Sequence, residues 1–316
     1  MALNNTDHPH IYVCGRGAVG LTFGDFFDRA LPEGSLTFIC DENRKARYQS
    51  QPVRVNGIDR SCSYATPKEA GKLPKADLVF FACKGYSLDE AIEEARPFID
   101  ENTILMSGIN GISSEDQLEA AFPHTIVLHT IAQGMDSRYD PHTQQLHFTT
   151  PGEFVFGAVK PERQKAAKQI EELFKACRVP YIHSQDILLD QYRKLMLNCG
   201  INQVCAAYGA TYGQVSQDPR LNHLFRQAME ETRQVLAAMG KDPGKESLEN
   251  WMKRIAGLDP DSMPSMAQDI VHHRPVELDL FSGTIIPKAR QLGIDVPVLE
   301  MLAEKIGQKT KSYLQN

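Results

Sequence analysis

Short apolar runs separated by amphipathic stretches fill the first half of the chain. The runs are HIYVCG (10–15), SLTFIC (35–40), DLVFFAC (77–83), NTILMSG (102–108) and HTIVLHTI (124–131). Each has strand length and is apolar nearly throughout, the pattern of a strand covered on both faces. Between them, residues 18–31, 87–99 and 113–122 place apolar side chains at helical spacing. Strands alternating with helices predict an α/β fold on a parallel sheet. Ser87 and Ser113 or Ser114 are the expected N-caps, with acidic residues in the turn that follows. Two stretches interrupt the alternation. Residues 52–66 read as a hairpin on Asn56-Gly57, and 144–158 as antiparallel strands after an Asp140-Pro141 turn. A helix over 162–177 and a strand over 179–184 close this half.

After Asp186 the period changes to 3.6 and stays there. The pattern predicts one long helix over 186–209, N-capped by Asp186, followed by helices over 217–239, 244–257, 262–292 (kinked at Pro275) and 296–313. Two domains are expected, an α/β domain over 1–185 and an all-α domain over 186–316. No internal repeat and no low-complexity segment is visible.

The first strand runs straight into Gly15-Arg16-Gly17-Ala18-Val19-Gly20, which opens the first helix. Alone, GxGxxG is a weak signal; between a strand and a helix it is the Rossmann dinucleotide fingerprint. The first glycine permits the tight turn and the second the approach of a pyrophosphate. The third lets helix pack on strand, and the phosphates lie on the helix N-terminus. Asp41 ends the second strand, where an acidic residue accepts hydrogen bonds from the adenosine ribose and repels a 2′-phosphate, favouring NADH. Arg44, Lys45 and Arg47 follow directly, and they read either as a 2′-phosphate site for NADPH or as a solvated helix start. Lys84 and Asn110 follow the third and fourth runs, at the carboxyl ends where such sheets bind ligands.

Lys194, Asn198 and Asn202 stand at i, i+4 and i+8 on the first helix of the second half, among Leu195, Met196, Leu197, Ile201 and Val204. On a regular helix they share one face. Two readings stand. In one, a lysine with a shifted pKa donates a proton to a developing alkoxide, with carboxamides alongside. In the other, the stripe is a packed face with satisfied hydrogen bonds. The helix begins at the domain boundary, which lets it face the strand ends of the first domain. Ser265 and Glu277 lie in a later polar segment, 262–283. Adjacent His272 and His273 point apart on a helix, so no metal site is expected.

Composition narrows the function classes. A net charge of −6 over 316 residues gives no basic footprint for nucleic acid. The apolar runs are far too short to span a membrane. Residues 1–9 are polar and lack a signal peptide's apolar region. Seven cysteines without a CxxC pair fit free thiols in a reducing compartment, so a cytoplasmic location is expected.

Taken in order, GRGAVG (15–20), CKGYS (83–87), Asn110-Gly111, KLMLNCGIN (194–202) and SMAQDI…VELDLFSG (265–283) resemble the ketopantoate reductase family, across about residues 10–305. The resemblance implies a Rossmann domain followed by a helical domain of 6-phosphogluconate-dehydrogenase-like architecture. It also implies NADPH or NADH as cofactor, a small 2-oxo acid as substrate and a homodimer as a common assembly. By the same resemblance Lys194 protonates the substrate's C2 oxygen, and Glu277 binds its hydroxyl and supports Lys194. Asn198, Asn202 and Ser265 hold the substrate. Asn110 orients Lys194 and the nicotinamide ribose, and Lys84 lies beside the cofactor. Two positions depart from the family pattern: Asp41 replaces a basic residue common in NADPH-using members, and Tyr212 stands in ATYG (210–213) where many members carry a substrate-binding asparagine.

Overall fold

The computed structural model describes residues 8–314; of the polar start read above, residues 1–7 lie outside them. The chain divides into two compact units at Leu188/Leu189.

In chain order the first unit runs β1 (Ile11–Cys14), α1 (Ala18–Ala30), β2 (Leu36–Ile39), α2 (Glu42–Ser50), β3 (Val53–Val55), β4 (Ile58–Arg60), β5 (Ser63–Ala65) and β6 (Leu78–Phe81). It continues with α3 (Leu88–Ala95), β7 (Ile104–Ser107), α4 (Ser114–Ala121), β8 (Ile126–Met135), β9 (Arg138–Asp140), β10 (Gln145–His147), β11 (Pro151–Gly157), α5 (Gln164–Ala176) and β12 (Tyr181–His183). Among the described residues the main sheet has eight strands in the order β12-β11-β8-β7-β6-β1-β2-β5. Its pairings are parallel except for β8 with β11. Every residue of β1, β6 and β7 is buried, which is why these strands read as continuous apolar runs.

An aromatic cluster joins helices to sheet. Phe23 of α1 stacks on Phe80 of β6 with ring centroids 3.9 Å apart, and Phe154 and Phe174 meet Phe23 edge-on at 5.0 and 5.8 Å. Phe23 and Phe27 lie one helical turn apart, so α1 presents both to this core.

The Asn56-Gly57 hairpin forms as predicted, with φ of 48° and 81° at the two turn residues, the left-handed pair such a turn needs. Its strands belong to a second sheet, β4-β3-β10-β9. Residues 144–158 divide differently from the expectation: β10 joins this small sheet while β11 pairs with β8 in the main one. The Ser87 and Ser113 side chains cap nothing. Their ψ angles of 6° and −18° are not the extended values that aim a cap side chain at the first turn.

The second unit is helical. Its elements are α6 (Ile187–Leu197, whose first two residues fall in the first unit), α7 (Gln203–Tyr208), α8 (Tyr212–Gln217), α9 (Pro219–Ala238), α10 (Lys245–Ala256), α11 (Ser265–Val271), α12 (Ser282–Leu292) and α13 (Pro297–Leu314). The single helix expected over 186–209 is broken by a π-turn over Asn198–Asn202. The helix expected over 262–292 is two helices. His273 takes a left-handed φ of 53° ahead of Pro275, ending the first, and α12 restarts at Ser282. On α9, buried Glu231 accepts the Val298 and Leu299 amides at 3.0 and 2.9 Å, giving α13 its N-terminal cap from a neighbouring helix. Among the described residues no helix is long and apolar enough to cross a membrane.

Candidate active site

The glycine loop meets three different constraints. Gly15 has φ +113°, and a Cβ there would stand 2.6 Å from the Ala82 and Cys83 backbone. A Cβ on Gly20 would stand 2.0 Å from the Gly15 carbonyl oxygen. These two glycines are required by the fold itself. At Gly17 a Cβ would meet nothing within 4 Å among the described residues, whose packing therefore does not demand glycine there. Gly17 is the N-cap of α1 and offers no side chain to its first turn, which carries no acidic residue. The first-turn amides of Ala18, Val19 and Gly20 are thus without an intrahelical partner, beside a position kept bare. That is the form of a pyrophosphate cradle, so a dinucleotide fits this loop.

Arg16 behaves differently from its glycine neighbours. Its guanidinium is buried, lies 4.2 Å from the Tyr48 ring centroid, and donates to the Tyr139 hydroxyl at 3.1 Å and to Gln144 Oε1. The side chain therefore ties the loop to the small sheet. Nothing in the GxGxxG pattern signals this.

Asp41 caps α2, accepting the Arg44 amide at 2.8 Å and the Arg44 guanidinium. Burial pushes its carboxyl up, and the Arg44 amide and side chain outweigh that, holding it below the ordinary aspartate value. The same guanidinium reaches Glu90 and Glu94 on α3. The three carboxylates each place an oxygen within 4.8 Å of the others. Lys45 is held by both oxygens of Glu69, and the Arg47 guanidinium lies over the Tyr48 ring. Of the cations considered for a 2′-phosphate, Arg44 and Lys45 are thus already paired, and Arg44 is outnumbered by its carboxylates.

Lys84 precedes a short turn after β6, and Asn110 follows β7, where Gly111 with φ +94° turns the chain. Since β1, β6 and β7 are successive parallel neighbours, the glycine loop, Lys84 and Asn110 all leave the same edge of the sheet.

In the helical unit, Lys194 is part-buried near the end of α6. Desolvation lowers its pKa to about 8, against the opposing pull of the Glu277 carboxylate. Glu277 is itself buried. Asn198 and Asn202, both 6% exposed, meet through Asn202 Nδ2 donating to Asn198 Oδ1 at 3.1 Å. That bond leaves Asn198 Nδ2 and Asn202 Oδ1 buried without a partner among the described residues, one donor and one acceptor. A group left so costs about 1–3 kcal/mol, and a ligand offering the complementary pair recovers it. Ser265 opens α11, which packs against the π-turn and α7; it is exposed. The Trp251 indole donates to the Arg193 carbonyl at 3.1 Å, next to Lys194, a tie with no signal in the sequence. His272 and His273 are exposed, and His273 stacks on Tyr313 with ring centroids 5.0 Å apart.

Comparison with known proteins covers both halves. Residues 11–161 match the family model described as ketopantoate reductase PanE/ApbA, and residues 186–310 the model of its C-terminal domain. A 2-dehydropantoate 2-reductase of Streptococcus pyogenes is 21% identical over 300 residues, covering 95% of this chain and 97% of that protein. Among solved structures, a D-mandelate dehydrogenase with NADH and anilino(oxo)acetate superposes with a TM-score of 0.85 at 19% identity, over 96% of this chain and 99% of that one. A dimeric ketopantoate reductase of Staphylococcus aureus gives 0.80 at 17%, with the same coverage.

Proposed function

The chain belongs to the ketopantoate reductase PanE/ApbA family, and on that premise we propose that it reduces 2-dehydropantoate to (R)-pantoate, a step in the supply of pantothenate and coenzyme A. In this reading residues 1–185 bind the dinucleotide and 186–316 carry substrate binding and proton transfer. The observation that carries it is the pairing of a lysine whose pKa is lowered to about 8 with two buried asparagines that retain an unused donor and an unused acceptor.

When bound, the reduced nicotinamide supplies a hydride to the C2 carbon. The Lys194 ammonium donates the accompanying proton to the C2 oxygen, so oxo acid, hydride and proton balance to a 2-hydroxy acid. Donation becomes easier as an ammonium's pKa approaches the working pH, and burial has brought Lys194 there. The Glu277 carboxylate opposes desolvation, keeps the ammonium charged, and accepts the substrate hydroxyl. Asn198 Nδ2 donates to a substrate oxygen, Asn202 Oδ1 accepts a hydroxyl, and Ser265 closes the substrate's far end. Donors fixed before the reaction stabilise charge on the C2 oxygen at no reorganisation cost. Gly15, Arg16, Gly17, Ala18, Val19 and Gly20 hold the pyrophosphate through backbone amides, while Lys84 and Asn110 contact the nicotinamide side.

NADH is the preferred donor. A 2′-phosphate would add negative charge beside Asp41, Glu90 and Glu94, whose one guanidinium is already shared among them. The protein works in the cytoplasm as a homodimer, in line with its free cysteines and the dimeric relative. A second reading, an aryl 2-oxo acid as substrate, draws on the likeness to D-mandelate dehydrogenase and on Tyr212 standing where the family commonly has asparagine. A panel of 2-oxo acids with NADH and with NADPH, followed by nicotinamide absorbance, separates these. Ketopantoate with NADH is expected to give the highest kcat/KM. Phenylglyoxylate equalling it would move the assignment to the second reading, and a preference for NADPH would overturn the cofactor assignment.

A further inference from the structure

Resting on the substrate roles of Asn198 and Asn202, we propose that Gln203 and Ser282 form a latch that holds the π-turn open and so positions the two asparagines. In a regular α-helix the Cys199 carbonyl would accept the Gln203 backbone amide. Here that amide bonds to the Gly200 carbonyl instead. The Cys199 carbonyl is taken by the Gln203 side chain, Nε2 donating at 2.8 Å. A side-chain amide thus replaces the backbone bond that the irregular turn gives up. The other end of the carboxamide is also used: Gln203 Oε1 accepts the Ser282 hydroxyl at the start of α12. Both residues are fully buried, so water cannot substitute for either bond.

The turn is braced from a second side. At Gly200 a Cβ would stand 2.7 Å from side-chain carbons of Phe225 and Met229 on α9, so that helix packs directly on the bare backbone of the turn. The inserted residue matters because each helical position turns the next by about 100°. Without the π-turn, every residue from Asn202 onward rotates by that amount relative to Lys194. The carboxamide pairing at 3.1 Å, which fixes which donor and which acceptor stay unused, is made between the first and last residues of the π-turn. Irregular turns of this kind recur at functional sites for this reason. Gln203 and Ser282 are therefore positioning residues for substrate binding, acting through Asn198 and Asn202.

Three variants test the latch. Ser282→Ala leaves Gln203 Oε1 without a donor, Ser282→Thr keeps the hydroxyl, and Asn198→Ala removes one of the positioned groups directly. Amide hydrogen exchange over residues 198–203, read by mass spectrometry on the free protein, needs no substrate. It is expected to speed up in Ser282→Ala and to return towards the original rate in Ser282→Thr. In steady-state kinetics, Ser282→Ala is expected to raise the KM for the 2-oxo acid about tenfold, with kcat and dinucleotide affinity little changed and Ser282→Thr restoring KM. Unchanged exchange over 198–203, or a fall in kcat and melting temperature with KM untouched, overturns the latch. If Asn198→Ala leaves KM unchanged, the substrate role of the asparagines fails, and the latch's functional meaning with it. If Asn198→Ala raises KM and Ser282→Ala does not, only the latch fails.

Discussion

In the proposed function, the glycine loop and the lysine helix meet their ligands in opposite ways. The loop is built from what is missing: three glycines without side chains, a helix start without a side-chain cap, and one position, Gly17, bare where nothing among the described residues fills the space. The helix is built from what is present in excess. A cation sits where burial opposes its charge, and two carboxamides keep hydrogen-bonding capacity that the chain does not use. In the loop, the proposed reading makes stability and binding separable residue by residue: Gly15 and Gly20 are demanded by backbone packing, and Gly17 is not. In the helix they are in conflict, because each polar group that binds substrate costs stability while it is buried and unmatched.

The largest effect expected from this contrast is on the helix. Lys194→Ala removes the proton donor and should lower kcat by about 10²–10⁴-fold. Dinucleotide affinity by fluorescence titration should stay near its original value, because the loop does not use the lysine. Loss of dinucleotide binding together with activity would break the separation between the two regions.

A smaller effect is expected from the loop. Gly17 has φ −98° and ψ −168°, an extended conformation that valine adopts readily. Gly17→Val should melt at the original temperature and bind dinucleotide about tenfold or more weakly, a loss of about 1.4 kcal/mol. Gly15→Ala should do the reverse in kind and lose stability before any ligand is added, because its backbone angle and the Ala82 backbone both oppose a side chain. Equal loss of stability in both variants would show that Gly17 also serves the fold.

The two regions also differ in how far the sequence disclosed them. The Gly15–Gly20 loop was legible because glycine is one of few residues whose identity maps directly onto backbone geometry. The alternating elements and the Asn56-Gly57 hairpin were legible for related reasons of period and turn chemistry. The polar stripe Lys194, Asn198 and Asn202 was visible as spacing, but the π-turn that sets its geometry was not. Its local bonds run through Gln203 and Ser282, which lie 79 residues apart. Gly200, a glycine inside an otherwise strong helix, was the one signal available. One helix end failed where a single backbone dihedral decides it: the left-handed His273 follows α11 inside a segment read as one helix over 262–292. The helix read over 217–239 matches α9 closely, while the short α8 before it carried no signal. The pairing of Arg44 with Asp41, Glu90 and Glu94 was likewise hidden, because α3 comes to α2 only through the folded sheet.

The proton-donor role of Lys194 is tested most directly by the pH dependence of kcat/KM for reduction of the 2-oxo acid, which reports the lysine before the substrate binds. The lysine's folded pKa lies at about 8, below its ordinary 10.5, so the donating ammonium is present at lower pH and is lost as pH rises through about 8. Because the Glu277 carboxylate pulls that pKa upward, Glu277→Gln should move the same decline to lower pH. The account predicts a single decline centred near pH 8 in the unmodified protein and an acid-shifted decline in Glu277→Gln. A rate that stays level through pH 10, or a decline that does not move when Glu277 loses its charge, would contradict it.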